Sequence, residues 1–273
     1  MTGVGSVAII EQGTGPPVML VHGLNGFKEG WGPLPGALAA AGMRAVMVDL
    51  PGFGASPRVR RGRTDPATIA TVVEALAQRT GPAAVVAHSL GTQAAMLAAA
   101  ARPGLVRRLV LISPWVLSRP RRFPPRSVSD LLQIPVLGRL LARLAIARMR
   151  RSPQRRTEAF RSVVADAAGL TRDPAMAALL AEASARLEHA DVAAMADWAA
   201  SALALDIRPL AARLEAPALV VVGGADRVTR APGVRRLAEA LPHGRLLELD
   251  GVGHFPHLER PGVVLPAIVE HLR

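Results

Sequence analysis

The feature that most constrains this chain is a repeated alternation of short apolar runs with longer helical patterns. Val18–His22, Ala45–Asp49, Ala83–His88 and Arg108–Ile112 are compact runs of aliphatic residues. The first three are each followed by a turn and then by a stretch of helical periodicity. Runs of this kind read as strands buried on both faces, because crossover helices cover both sides of a parallel sheet. Val4–Ile10 reads as a first strand, with Glu11–Pro16 as a turn. Helices are expected at Leu34–Ala41, closed by Gly42, at Pro66–Arg79 with Asp65 as N-cap, and at Gly91–Ala101. The alternation then stops. From about Pro114 to Arg208 there are helical stretches and prolines but no strand pattern. Strand character returns at Ala218–Gly223, followed by a helix at Val234–Ala240, a strand at Arg245–Asp250 and a last helix at Gly262–Leu272. The expected fold class is therefore α/β: a mostly parallel sheet with helices on both faces and a helical cap inserted after the sixth strand. Residues 1–113 and 208–273 would form the core, and 114–207 the cap or lid.

Composition closes off several function classes. The 273 residues are half hydrophobic, enough to bury one sizeable core with an insertion. There is no uncharged apolar run long enough to cross a bilayer, and Met1–Ile10 lacks the basic start and apolar stretch of a signal peptide, so a cytoplasmic location is expected. Cysteine is absent, which removes disulfides, thiolate metal sites and Cys nucleophiles together. The seven histidines form no metal-ligand spacing with carboxylates, so neither a metal nor a cofactor is expected. The net charge of +12 raises nucleic acid or an anionic membrane as partners. Lys28 is the only lysine, tyrosine is absent and aromatics make up 3%, so a stacking platform for nucleic acid is scarce and that partner is not expected.

In an open parallel sheet, reactive residues collect at the C-terminal strand ends. Four such ends stand out. Ala87-His88-Ser89-Leu90-Gly91 lies between a strand and a helix, with small residues two positions either side of Ser89, as a sharp turn presenting a nucleophilic hydroxyl requires. Ala87 stands where that pattern has glycine. The plainer reading is a serine capping a helix. His254, in Gly251-Val252-Gly253-His254-Phe255-Pro256, follows the last strand and can serve as a general base near neutral pH; a surface loop histidine is the alternative, and His257 is a rival that more naturally begins the next helical region. Asp226, in Gly223-Gly224-Ala225-Asp226, could orient an imidazole, or could simply make a local turn bond. His22-Gly23-Leu24-Asn25-Gly26 offers backbone N–H groups next to the nucleophile. The order Ser89, Asp226, His254 along the chain joins these signals into one constellation.

These stretches, together with Gly15–Gly23, Asp49-Leu50-Pro51-Gly52-Phe53-Gly54-Ala55-Ser56 and Gly253-His254, resemble the α/β-hydrolase superfamily in its esterase and lipase-like branch. The resemblance covers residues 1–113 and 215–273. It implies Ser89 as nucleophile, His254 as base, Asp226 as its orienting acid, and the backbone N–H groups of Leu24 and Leu90 as the oxyanion hole. It makes Asp49 a structural residue. The implied activity is hydrolysis of a carboxylic ester, thioester or lactone through an acyl-enzyme on Ser89, without a cofactor. Dehalogenases and epoxide hydrolases of the superfamily carry Asp in place of Ser89, and the latter need cap tyrosines, which are absent here. Carbon–carbon bond hydrolases carry Trp after the histidine, where this chain has Phe255. Carbon–carbon cleavage of a diketone stays open as an alternative, as does a non-hydrolytic small-molecule binder on the same fold. Lyases, perhydrolases and acyltransferases share the constellation too.

Within the insertion, Trp115, Phe123, Met149, Met176, Met195 and Trp198 are candidate pocket walls, with Phe255 from the core, which points to a substrate with an apolar acyl or alcohol group. Charge is lopsided: 12 Arg and 2 acids across Arg119–Arg161, then 3 Arg and 7 acids across Ser162–Arg208. Leu131–Arg151 is a basic amphipathic pattern. It reads either as a lid helix whose apolar face covers the pocket, or as a peripheral contact with anionic membrane or lipid.

Overall fold

The computed structural model describes residues 7–58, 65–116 and 135–273. Seven strands form one sheet: β1 (Ile9–Gln12), β2 (Pro17–Val21), β3 (Arg44–Val48), β4 (Ala83–His88), β5 (Val106–Ile112), β6 (Ala218–Gly223) and β7 (Gly244–Leu249). Their spatial order is β1-β3-β2-β4-β5-β6-β7. All neighbours are parallel except β1 and β3, which pair antiparallel at the edge. Every residue of β2 and β6 is buried, as strands covered on both faces require, whereas the edge strand β1 is largely exposed.

The helices between β1 and β5 are α1 (Leu34–Ala40), α2 (Pro66–Thr80) and α3 (Gly91–Ala101). Between β5 and β6 lie α4 (Pro135–Arg150), α5 (Pro153–Arg161), α6 (Ala167–Leu170), α7 (Pro174–Glu188), α8 (Val192–Ala204) and α9 (Arg208–Ala211). The last three are α10 (Ala231–Ala240), α11 (Pro256–Glu259) and α12 (Pro261–Leu272). The Asp65 carboxylate caps α2 by accepting the Thr68 N–H at 2.7 Å.

The two-residue period of a strand splits the core. Met19 and Val21 of β2 point to one face, where α2, α3, α10 and also α8 pack; Val18 and Leu20 point to the other, where Leu34 and Leu38 of α1 and Val264 and Ile268 of α12 close the layer. Among the described residues no helix is long and apolar enough to cross a membrane.

Two expectations need correction. The first strand lies further along than Val4–Ile10. Val4–Ser6 fall outside the described residues, and β1 takes in Glu11 and Gln12 from the expected turn because β3 offers partners as far as Gln12↔Ala45. Polar residues are tolerated there since the strand is an edge, and Glu11 pairs with Arg44 at 3.0 Å. The helical insertion follows the fifth strand in chain order, not the sixth. Only five strand-like runs precede Pro114, so the sixth strand of the chain is the one that re-enters the sheet at Ala218.

Candidate active site

Strand order reverses beside β2: the chain moves from β2 out to β3, then returns to place β4 on the other side. Open α/β sheets bind ligands in the crevice that such a reversal leaves at the carboxyl ends. Ser89 directly follows β4 and His22 directly follows β2, so both sit at this crevice.

Ser89 has φ 51°, the left-handed region that a non-glycine residue rarely adopts. The turn is held on both sides. The Ser89 N–H donates to the Ile112 carbonyl at 2.9 Å, and the Ser89 carbonyl accepts from the Thr92 N–H and hydroxyl. Close backbone approach explains two glycines here. A Cβ on Gly91 would lie 2.5 Å from the His22 carbonyl oxygen, and one on Gly23 would lie 2.9 Å from Ser89 Cβ. The β2 loop therefore runs directly against the serine. The N–H groups of Leu24 and Leu90 have no hydrogen-bond acceptor among the described residues, and both residues line the same cavity as Ser89. The helix α3 starts immediately behind, so its dipole also favours negative charge at this point.

The Ser89 hydroxyl lies 3.0 Å from His254 Nε2, and His254 Nδ1 lies 2.8 Å from Asp226 Oδ2. All three residues are buried. Asp226 is held from the other side: Oδ1 accepts the N–H groups of Val228 and Thr229, and Oδ2 accepts the Thr229 hydroxyl at 2.6 Å. Burial alone would raise this carboxyl, but the His254 contact and the Thr229 donors outweigh it and hold its pKa below the ordinary aspartate value. The local turn bond and the imidazole partner, weighed from sequence as alternatives, occur together on the two oxygens of one carboxylate.

Supporting residues that sequence reasoning missed surround the histidine loop. The His254 N–H donates to the Val163 carbonyl at 2.7 Å, which ties the loop to the insertion. The Glu259 carboxylate accepts the N–H groups of Gly253, Phe255 and Ala165. His88 Nε2 lies 2.9 Å from the His254 carbonyl and so donates to it, while its ring packs against Phe255. Nothing in the sequence pattern marks these roles: the Val163, Ala165 and His88 contacts join segments far apart in the chain, and the Glu259 contacts to Gly253 and Phe255 depend on how the loop turns back on α11. Asp49 is fully buried and accepts from the backbone and side chain of Lys28 and from the Ala55 N–H, consistent with a structural residue.

Three further histidines are held neutral. His22 Nε2 accepts the Leu50 N–H, so its proton resides on Nδ1 and is donated to the Gly23 carbonyl. Burial lowers its pKa to about 4, partly offset by that hydrogen bond and by Asp49. Burial, reinforced by His254, lowers His257 to about 3, and burial with the neighbouring imidazoles lowers His88 well below the usual value. An unfolded imidazole titrates near pH 6.5. Below that pH the unfolded chain binds protons that the folded one refuses. The stabilisation is therefore complete above pH 6.5 and is lost as pH falls towards 4 and 3. Each such histidine should contribute a slope of about 1 kcal/mol per pH unit within that window. Urea unfolding at pH 7.5, 6 and 5 should show the midpoint falling, and His257→Phe should flatten the slope by one proton. An unchanged midpoint over this range would contradict neutral burial.

A cavity of about 740 Å³ opens over Ser89 and His254. Its apolar wall includes Leu24, Trp115, Phe160, Leu179, Leu203 and Phe255. Of the expected pocket residues, Trp115 and Phe255 line it. Phe123 lies outside the described residues. Trp198 does not line it: its ring is fully buried in the core, 5.2 Å from the Phe53 ring and 6.4 Å from that of His22. It occupies the inner face of α8, while Ala199 and Leu203 reach the cavity. Met149, Met176 and Met195 do not line this cavity either. Arg156 reaches it but is already neutralised by Glu188 at 2.8 Å, with Ser184 and the Arg150 carbonyl as further partners.

A sequence model of the alpha/beta hydrolase family matches residues 18–267. The chain belongs to this family. It is 30% identical over 276 residues to a pimeloyl-[acyl-carrier protein] methyl ester esterase of Xanthomonas campestris pv. campestris, with 94% of each chain covered. It is 29% identical over 267 residues to the enzyme of the same name from Chromobacterium violaceum, with 95% of each covered. Among solved structures, a thermophilic esterase from Thermogutta terrifontis superposes with a TM-score of 0.76 at 24% identity, covering 97% of this chain and 92% of that one. At that identity the likeness is one of fold.

Proposed function

We propose that this protein is a serine hydrolase that cleaves a carboxylic ester, thioester or lactone through an acyl-enzyme on Ser89. The observation that carries the reading is the unbroken buried relay from the Ser89 hydroxyl through His254 to Asp226, with the serine on a left-handed turn. In this mechanism Ser89 Oγ attacks the substrate carbonyl as His254 Nε2 takes its proton. Asp226 holds the Nδ1–H tautomer and stabilises the imidazolium that forms. Charge developing on the carbonyl oxygen is met by the N–H groups of Leu24 and Leu90. The imidazolium then protonates the leaving group, and water activated by the same histidine releases the acid. The relatives named as methyl ester esterases support an ester over a diketone as the substrate class.

The described residues of the insertion act in this reading as a cap, since α5 and α7 contribute walls of the cavity and Val163 braces the base. The largely apolar lining suits an apolar acyl or alcohol group. The direct test is a fluorophosphonate probe read by intact mass and peptide mapping. One adduct on Ser89, greatly slowed in His254→Ala, is the expected result. If folded protein that turns over a short p-nitrophenyl ester labels elsewhere, the assignment of the nucleophile fails. If it neither labels nor turns over ester, the fold serves as a binder instead.

A further inference from the structure

Among the described residues, α4 is the one helix that carries a run of large apolar side chains on its outer face as well as an apolar inner one. Its inner face is built from Gly138, Ala142 and Ile146, which are buried and let it lie close against the alanine-rich α8. Its outer face carries Val136, Leu140 and Leu144, exposed by 78%, 53% and 60%. These three recur every four residues, so they form one stripe about 12 Å long on a single side of the helix. Among the described residues the other large exposed aliphatics, Ile10, Leu246 and Val263, sit singly on separate elements. No residue of α4 lines the cavity above Ser89. Of the segment Leu131–Arg151 expected as a lid helix whose apolar face covers the pocket, Leu131–Ile134 lie outside the described residues, and the outer apolar stripe of the described part does not face the cavity.

Charge accompanies the stripe. Residues 135–161 contain eight arginines and one acid. On the helical wheel Arg143 flanks the stripe on one side and Arg148 on the other, with Arg151 just beyond the last turn; all three are exposed. Arg143 approaches Asp197 only at 3.9 Å with half its side chain in water, and no carboxylate among the described residues pairs with Arg148 or Arg151. An acidic soluble partner would be served by the arginines alone and leaves three exposed aliphatics unexplained. An aliphatic stripe bordered by guanidinium groups on both sides is what a helix lying in the plane of an anionic lipid surface presents: the stripe enters the acyl boundary while the arginines meet phosphates.

We propose that the α4 face docks this protein onto anionic phospholipid membranes, with Val136, Leu140 and Leu144 inserted and Arg143, Arg148 and Arg151 at the headgroups. The contact is independent of the chemistry at Ser89. The test is sedimentation of the full chain with vesicles of pure phosphatidylcholine and of phosphatidylcholine mixed with phosphatidylglycerol, at low and high salt. Wild type should bind the phosphatidylglycerol vesicles at least tenfold more tightly, with the preference shrinking as salt screens it. The double variant Leu140→Gln/Leu144→Gln, checked for an unchanged circular dichroism spectrum and melting point, should lose about tenfold in affinity. The pair Arg148→Gln/Arg151→Gln should lose the lipid preference. Equal binding to both vesicles would overturn the proposal, as would a leucine variant that binds like wild type. Equally tight, leucine-independent binding to soluble polyglutamate would mean charge alone acts, and a dimer in light scattering that the leucine variant dissociates would mean a second copy covers the stripe. Either result would also overturn it.

Discussion

Ser89→Ala is expected to lower kcat/KM for a short p-nitrophenyl ester by on the order of 10⁴-fold or more, to a residue left by the oxyanion donors and binding alone. The loss follows from geometry: the hydroxyl lies 3.0 Å from His254 Nε2 and faces the cavity that Leu24 and Leu90 also line. The fold should survive. Alanine meets the same φ of 51° that serine does, so backbone strain is unchanged, and the one hydrogen bond removed is worth about 1 kcal/mol. The measurement pairs steady-state kinetics with thermal melting. A variant that melts normally and retains more than a hundredth of the activity would remove Ser89 from the chemistry and return the question to a binder or another nucleophile.

The second large effect is expected at Asp226→Asn, where kcat should fall on the order of 10³- to 10⁴-fold with KM little changed. Asparagine can keep its oxygen on the Val228 and Thr229 N–H groups, so the turn persists. Its NH₂ then takes the place of Oδ2 and faces His254 Nδ1 at 2.8 Å. Two donors cannot share that contact, so the imidazole must move its proton to Nε2. In that tautomer it cannot accept the Ser89 proton, and the positive charge it would gain has lost its carboxylate partner. Melting points should drop only modestly. A variant within tenfold of wild type would show that His254 is oriented by other contacts, of which the Val163 carbonyl and the Glu259 clamp on its flanking backbone are the candidates.

Strand and helix placement was legible because burial imposes a period. β4, β6 and α3 begin and end where the aliphatic and alanine runs predict, since a strand covered on both faces has no freedom to mix polar residues into its run. The edge strand β1 was misplaced for the complementary reason: one covered neighbour is enough, and Glu11 and Gln12 fit there. Ser89, Asp226 and His254 were legible because each sits at a strand end beside small residues, and the strands bring those ends to one crevice. Trp198 was not, since an aromatic residue on a helix reads the same whether its face turns to a cavity or to the core.

Local pattern is enough to mark the alternation of buried strands and helices, the interruption after Ile112, and the three residues able to form a relay. Those are local properties of pattern and residue chemistry. The tertiary structure alone decided which face of α4 turns outward, that Arg156 is already spent on Glu188, and that His88, Val163 and Glu259 hold the histidine loop. Apart from the local Glu259 contacts to Gly253 and Phe255, each of those depends on contacts between residues distant in the chain, and an amphipathic pattern specifies that a helix has two faces without specifying what lies against either.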